Sequence, residues 1–228
     1  MAFVACYCYN RSELIIIDVH MFDVTNIDLE KEIELTKKIA KENNTKERVG
    51  DLKYLTEFIR RKEGDQGLKK VKEKLKEMGI EPLDESKFRD LDQVSCEILD
   101  GMALISAYLF NWTQEDVIQL GRDRLKMPNS YKFFIKYFSS PEKTLKKASQ
   151  NWRKHYSKGE INVREFDMKN KKIVFTLENF KTHPIRCVAF LGMFAATIEM
   201  ILGGSKVKTK ETRCPHKGDD YHEFVFSW

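Results

Sequence analysis

The sequence predicts an α+β fold in which a helical block packs on a mostly antiparallel sheet. Three observations predict it. Stretches rich in β-branched and aromatic residues come in pairs around short turns, at 2–25, 160–180 and 207–228. Between the first two pairs run segments whose apolar residues recur at helical spacing. Residues 184–202 form an apolar helix that must pack on the sheet.

Taken in order, 2–9 (AFVACYCY) and 13–25 (ELIIIDVHMFDVT) read as a β-hairpin around Asn10-Arg11-Ser12. Cys6 and Cys8 share one strand face, which suits packing better than ligation. Asn26 or Asp28 caps a helix to about residue 43 with Ile33, Leu35 and Ile39 on its apolar side. A second helix, 51–61, carries the stripe Leu52, Leu55, Phe58, Ile59; Glu63-Gly64-Asp65 is a turn; a third helix runs 66–78 and is closed by Gly79. Residues 91–110 read as a long apolar helix containing a buried Cys96. Thr113 and Asp116 nearly make a capping box for a helix ending near 126. An aromatic stretch follows at 129–138, and Ser140-Pro141 opens a helix to about 156. Strands at 160–167 and 172–180 flank a turn at Lys169-Asn170. After the 184–202 helix and Gly203-Gly204 come a strand at 207–212, a turn at 215–220 and a closing strand at 221–228. The whole reads as one domain: an N-terminal hairpin (1–27), a helical insert or appendage (28–90) and a core (91–228).

Forty basic and 35 acidic residues are interspersed, giving a net charge of +5. The basic run at 69–76 lies on one face of a helix, a solvated face, and no nucleic-acid-reading motif accompanies it, so no nucleic acid is expected as a direct partner. Five widely spaced cysteines do not make a disulfide framework, which places the chain in a reducing compartment, read as the cytoplasm. The start of the chain lacks the pattern of a signal peptide, and the apolar run 188–200 is too short to span a bilayer.

Chemistry concentrates at the C-terminal end. Cys187, Glu211, Cys214 and His222 are spaced 24, 3 and 8 residues apart, at a helix start and across a hairpin. Thiolate, carboxylate and imidazole are metal ligands, and a hairpin brings the last three to one end. His216, in the turn, is an alternative to His222. The alternative is a buried Cys187 beside a solvated turn that carries Cys214 and His216.

The segments NWRKHYSKGE (151–160), the 184–204 helix with Gly192, and ETRCPHKGDDYHEFVFSW carry a resemblance. The C-terminal 90 or so residues look like the 4-vinyl-reductase (V4R) domain, the ligand-binding fold of aromatic-responsive transcription activators. They are also similar to subunits of the Golgi transport particle and to the haem nitric-oxide-sensor superfamily fold. The resemblance implies a structural zinc ion (Zn2+), because the aromatic sensors hold zinc with Cys, Glu, Cys and Cys at nearly these spacings; His222 replaces the last cysteine. It also implies a pocket for a small apolar, aromatic or hydrocarbon-like ligand between the 184–202 helix and the sheet, with Trp152, Phe166, Leu191, Phe194 and Thr197 facing inward. A haem role is not expected: there is no Tyr-x-Ser-x-Arg motif, and His20 is the only N-terminal histidine.

Three functions follow from this. The first is a sensor or carrier module for a small apolar molecule with structural zinc. The second is a zinc-dependent reductase, weakened by the lack of a Gly-rich nucleotide loop. The third is a dimeric assembly scaffold. The hairpins at the two ends would supply a homodimer interface under any of the three.

Overall fold

The computed structural model describes residues 22–124 and 145–228. The 2–25 hairpin up to residue 21, with Cys6, Cys8 and His20, lies outside the described residues, as do the aromatic stretch 129–138 and the Ser140-Pro141 helix start.

Helix α1 (Leu29–Asn43) starts where the sequence places it, because Asp28 accepts a hydrogen bond from the Lys31 amide. It ends on Asn44, which adopts the left-handed conformation. Strand β1 (Lys46–Arg48) leads into α2 (Val49–Glu77), which is broken at Gly64, where φ is 74° and ψ 174°. That break is the turn expected at 63–65, and it lets the two apolar stripes face one core.

The apolar helix expected from residue 91 begins only at Cys96. Ser95 caps α3 (Cys96–Phe110) by accepting from the Glu97 amide, and residues 93–95 instead form β2 (Gln93–Ser95), paired antiparallel with β1. Composition did not reveal that boundary, since a three-residue strand leaves no periodicity. Thr113 and Asp116 form both halves of a capping box on α4 (Gln114–Asp123).

After α5 (Ala148–His155), strands β3 (Glu160–Asp167) and β4 (Lys172–Glu178) form a hairpin. Helix α6 (Ile185–Ile201) follows, then β5 (Lys208–Arg213) and β6 (His222–Ser227). The larger sheet is four-stranded and antiparallel, in the order β3-β4-β6-β5. The described chain is therefore α+β, a helical block packed on an antiparallel sheet.

Two apolar cores meet at α6. One joins α1, α2, α3 and α4 through residues such as Ile33, Leu52, Ile59, Leu104 and Ile118, and takes Ile185 and Val188 from α6. The other lies between α6 and the sheet and contains Phe175, Phe190, Leu191, Phe194, Phe224 and Phe226. Helix α6 is thus buried nearly all round, which explains its near-continuous apolar sequence. It crosses α4 at unusually close range. A Cβ added at Gly192 would overlap the Ile118 carbonyl oxygen, and one at Gly121 the Ala189 carbonyl oxygen.

Candidate functional site

The hairpin of β5 and β6 brings Glu211 opposite Phe224, two residues along the strand from His222, and the first turn of α6 delivers Cys187 to the same end. One donor atom from each of Cys187, Glu211, Cys214 and His222 lies within 4.8 Å of the others, and all four residues are buried. The two Sγ atoms are 3.9 Å apart, Cys187 Sγ is 3.7 Å from His222 Nδ1, and Nδ1 is 2.8 Å from Glu211 Oε1. A four-coordinate metal with bonds of about 2.0–2.3 Å sets its ligand atoms roughly 3.3–3.8 Å apart. The two sulfur edges match that spacing. The His222–Glu211 edge is shorter and is a hydrogen bond.

His222 Nε2 lies 3.3 Å from the Phe180 carbonyl. That carbonyl only accepts, so Nε2 carries the proton and Nδ1 faces the cluster. Electrostatics couple the four groups. The hydrogen bond with Cys187, followed by those from His222, pulls the Cys214 thiol down to about 4, against its burial. The same Cys214 contact, with burial, pushes the Cys187 thiol well above its usual range. Burial disfavours charge on His222, yet its bonds to Cys214 and Glu211 raise it to about 9. Burial raises the Glu211 carboxyl. His216 stands apart, its ring centroid 6.4 Å from that of His222 and its buried Nε2 without a hydrogen bond.

The second site is a cavity of about 110 Å³ between α5, α6 and the sheet. Its α6 wall runs from Met193 and Phe194 to Thr197, Met200 and Ile201; Trp152 and Tyr156 face it across the gap, and Phe175 closes the sheet side. Trp152 stacks on Tyr156 at 4.1 Å and meets Phe180 and Phe190 edge-on at 5.1 and 5.6 Å. Gly159, at φ +86°, permits this, because a Cβ there would crowd the Trp152 indole nitrogen and the Phe180 ring. Several polar groups of the wall are bonded within the protein. Trp152 Nε1 donates to the Lys158 carbonyl, Thr197 Oγ1 to the Met193 carbonyl and Arg124 Nη1 to Tyr156 Oη, at 2.9, 2.8 and 2.7 Å.

Of the residues expected in a pocket, Trp152, Phe194 and Thr197 border this cavity. Leu191 is buried in the core between α6 and the sheet, and Phe166 lies on a shallow groove along β3. Sequence reasoning missed Tyr156, Phe175, Met193 and Arg124. Tyr156 stands four residues after Trp152, a helical spacing that would have flagged it. Arg124 carried no such signal, because its place depends on Asp51, 73 residues away.

A buried ionic network lies beneath. Arg124 pairs with Asp51, and Arg186 bridges Glu47 and Asp100. Burial opposes ionisation of Asp51, but Arg124 and His155 hold its pKa at about 2.

No protein-family model matches the chain, and no curated protein is significantly similar to it. Solved structures do share its fold. An H-NOX protein from S. oneidensis in the Fe(II)NO ligation state superposes with a TM-score of 0.59 at 14% identity, covering 79% of this chain and 98% of that one. The Fe(II) unliganded H-NOX protein from K. algicida gives 0.60 at 9% identity, with 79% and 95% covered. The NMR structure of an H-NOX domain from Shewanella oneidensis in the Fe(II)CO state gives 0.59 at 14%, with 79% and 97% covered. At these identities the likeness is one of fold: the chain has the α+β architecture of the H-NOX domains.

The assignment of zinc as cofactor is corrected by this finding. The proteins that share the fold are Fe(II) proteins in their NO, CO and unliganded states, and a further one was studied for haem distortion; none of these is described with zinc. The fold likeness found is to H-NOX domains; membership of the V4R family is not shown by it.

Haem does not fit the described residues of this chain. Pockets for drug-sized ligands run from about 300 Å³ upward; the aromatic cavity is about 110 Å³, and the groove along β3, at about 350 Å³, is lined by no histidine. Both nitrogens of His183 are engaged, with Glu32 and the Ile185 amide, and both of His222 within its cluster. His155 borders the cavity, but its Nδ1 lies 3.6 Å from the Asp51 carboxylate. Among the described residues no imidazole is presented to a haem-sized space. No helix among them is long and apolar enough to cross a membrane.

Proposed function

We propose that this chain is a small-molecule-binding module, a sensor or carrier, that holds a neutral apolar or aromatic ligand between α5, α6 and the sheet. The observation that carries the proposal is the ring-walled cavity of about 110 Å³, where Trp152, Thr197, Arg124 and Tyr156 already bond to protein partners. An engineered apolar cavity of about 150 Å³ binds benzene; this chamber, somewhat smaller, takes nothing larger than a single small ring unless a neighbouring side chain turns aside. A charged ligand would lose its hydration there and find its counter-charges already paired. Support also comes from the finer likeness of the closing segment to the V4R domain. A homodimer belongs to the same proposal and is tested by sedimentation.

For Cys187, Glu211, Cys214 and His222 the proposal is a metal centre of unassigned metal that ties α6 to the hairpin. Its support is the two sulfur edges and the Phe180 carbonyl that orients the imidazole, as outer-shell acceptors do for metal-bound histidines.

The test is native mass spectrometry of the purified protein beside a Thr197→Trp variant, whose indole fills the cavity. A co-purified or added single-ring hydrocarbon, held by the wild type and lost by the variant with its melting preserved, is the expected result. Equal retention by both, or by neither, would overturn the assignment of the cavity.

A further inference from the structure

A second cavity, of about 60 Å³, lies in the helical block. On α6 it is bordered by Ile185, Arg186, Ala189, Phe190 and Met193, whereas the aromatic cavity takes Met193, Phe194, Thr197, Met200 and Ile201. The two chambers therefore run end to end along one helix, each spanning nine residues, a rise of about 12 Å at 1.5 Å per residue. Among the described residues only Met193 and Arg124 border both.

These two residues differ in how firmly they are held. Arg124 is fixed by Asp51 through Nε and Nη2, and by Tyr156 through Nη1. Met193 is unbranched and turns about three bonds. The polar contact recorded for its thioether is weak: Sδ accepts from Arg124 Nη1 at 3.4 Å. A methionine between two voids has room on both sides into which to swing, so it is the movable part of the wall.

We propose that Met193 is a length gate: it sets how long an apolar tail the ligand may carry, and by turning aside it admits that tail from the aromatic chamber into the helical-block chamber. This rests on the aromatic cavity being the binding site. The ligand class it names is a neutral ring bearing a short alkyl chain, with the ring beside Trp152 and Phe194 and the chain pointing along α6 toward Ala189. Joined, the chambers exceed the about 150 Å³ that holds a bare benzene ring. The tail must be apolar, since Arg186, Glu47 and Asp100 around the second chamber are paired with one another.

The probes are n-alkylbenzenes from toluene to hexylbenzene, with affinity read by headspace partitioning over the full-length protein. In the wild type, affinity should rise with tail length to an optimum and then fall. Met193→Ala should move that optimum at least two carbons longer and strengthen binding of the longest probe at least tenfold. Met193→Leu, of similar volume but branched and less able to turn, should move it shorter, and it reports even where the alanine variant fails to fold. Binding with the same optimum in the wild type and in whichever variants fold would overturn the gate and leave the cavity assignment standing. If no probe binds wild type or variants that melt normally, the cavity assignment and the gate fall together.

Discussion

Alanine at position 192 should destabilise the protein although alanine is the better helix former. Gly192 sits mid-helix in α6, where replacing glycine by alanine ordinarily gains about 1 kcal/mol. Here the added methyl would overlap the Ile118 carbonyl oxygen, and Gly121 faces Ala189 across the same crossing. The obstacle is backbone and no rotamer relieves it, so α4 and α6 must move apart. Overpacking of a tight core costs about 1–3 kcal/mol, and separating two helices that rest on each other's backbone belongs at the upper end or beyond. Taking about 4 kcal/mol against the gain of 1, the net loss is about 3 kcal/mol. In a chain of this length that is a fall in Tm of roughly 6–12 °C. Urea unfolding followed by circular dichroism would give the midpoint, with the slope checking that the denatured state is unchanged. A midpoint equal to or above the wild type's would refute the close crossing, and with it the placement of α6 between the two cores.

Asp51 gives a pH dependence. Its folded pKa, held at about 2 against 3.8, is depressed, so its contribution is full above the unfolded value and is lost as pH falls toward 2. At 1.36 kcal/mol per unit this is about 2 kcal/mol; Asp51→Asn should be less stable at pH 6 and show a flatter decline in urea midpoint between pH 4 and 2. An equally steep decline would remove Asp51 from the account. Cys214→Ala should lower bound metal, measured by elemental analysis, and reduce Tm, because metal binding is linked to folding; unchanged metal content would dismiss the cluster as a metal centre.

Much of the fold was legible because the helices and long strands carry their own signals. The Asp28 cap, the Gly64 break, the Thr113–Asp116 box and the 160–178 hairpin are local chemistry, read within a few residues. What the sequence did not disclose depends on distant pairing. Strand β2 exists because 93–95 meets 46–48, and so α3 starts at Cys96. The Cys187, Glu211, Cys214 and His222 grouping was legible from residue type and spacing, and it converges as expected, with His222 in the cluster and not His216. The cofactor was not legible, since donors that gather in one place do not name what they hold. In the cavity, Trp152, Phe194 and Thr197 came from the family resemblance and not from periodicity. Arg124 and Phe175 were missed because they reach the same space from a separate helix and strand.

The most direct test of the ligand cavity is a methionine-methyl NMR titration with toluene. Met193 and Met200 border the cavity, Met102 is buried in the other core, and Met168 is exposed. The expected result is saturable ring-current shifts at Met193 and Met200, with Met102 and Met168 unmoved. Shifts absent at the first pair, or spread evenly over all four, would contradict a binding site between α5, α6 and the sheet.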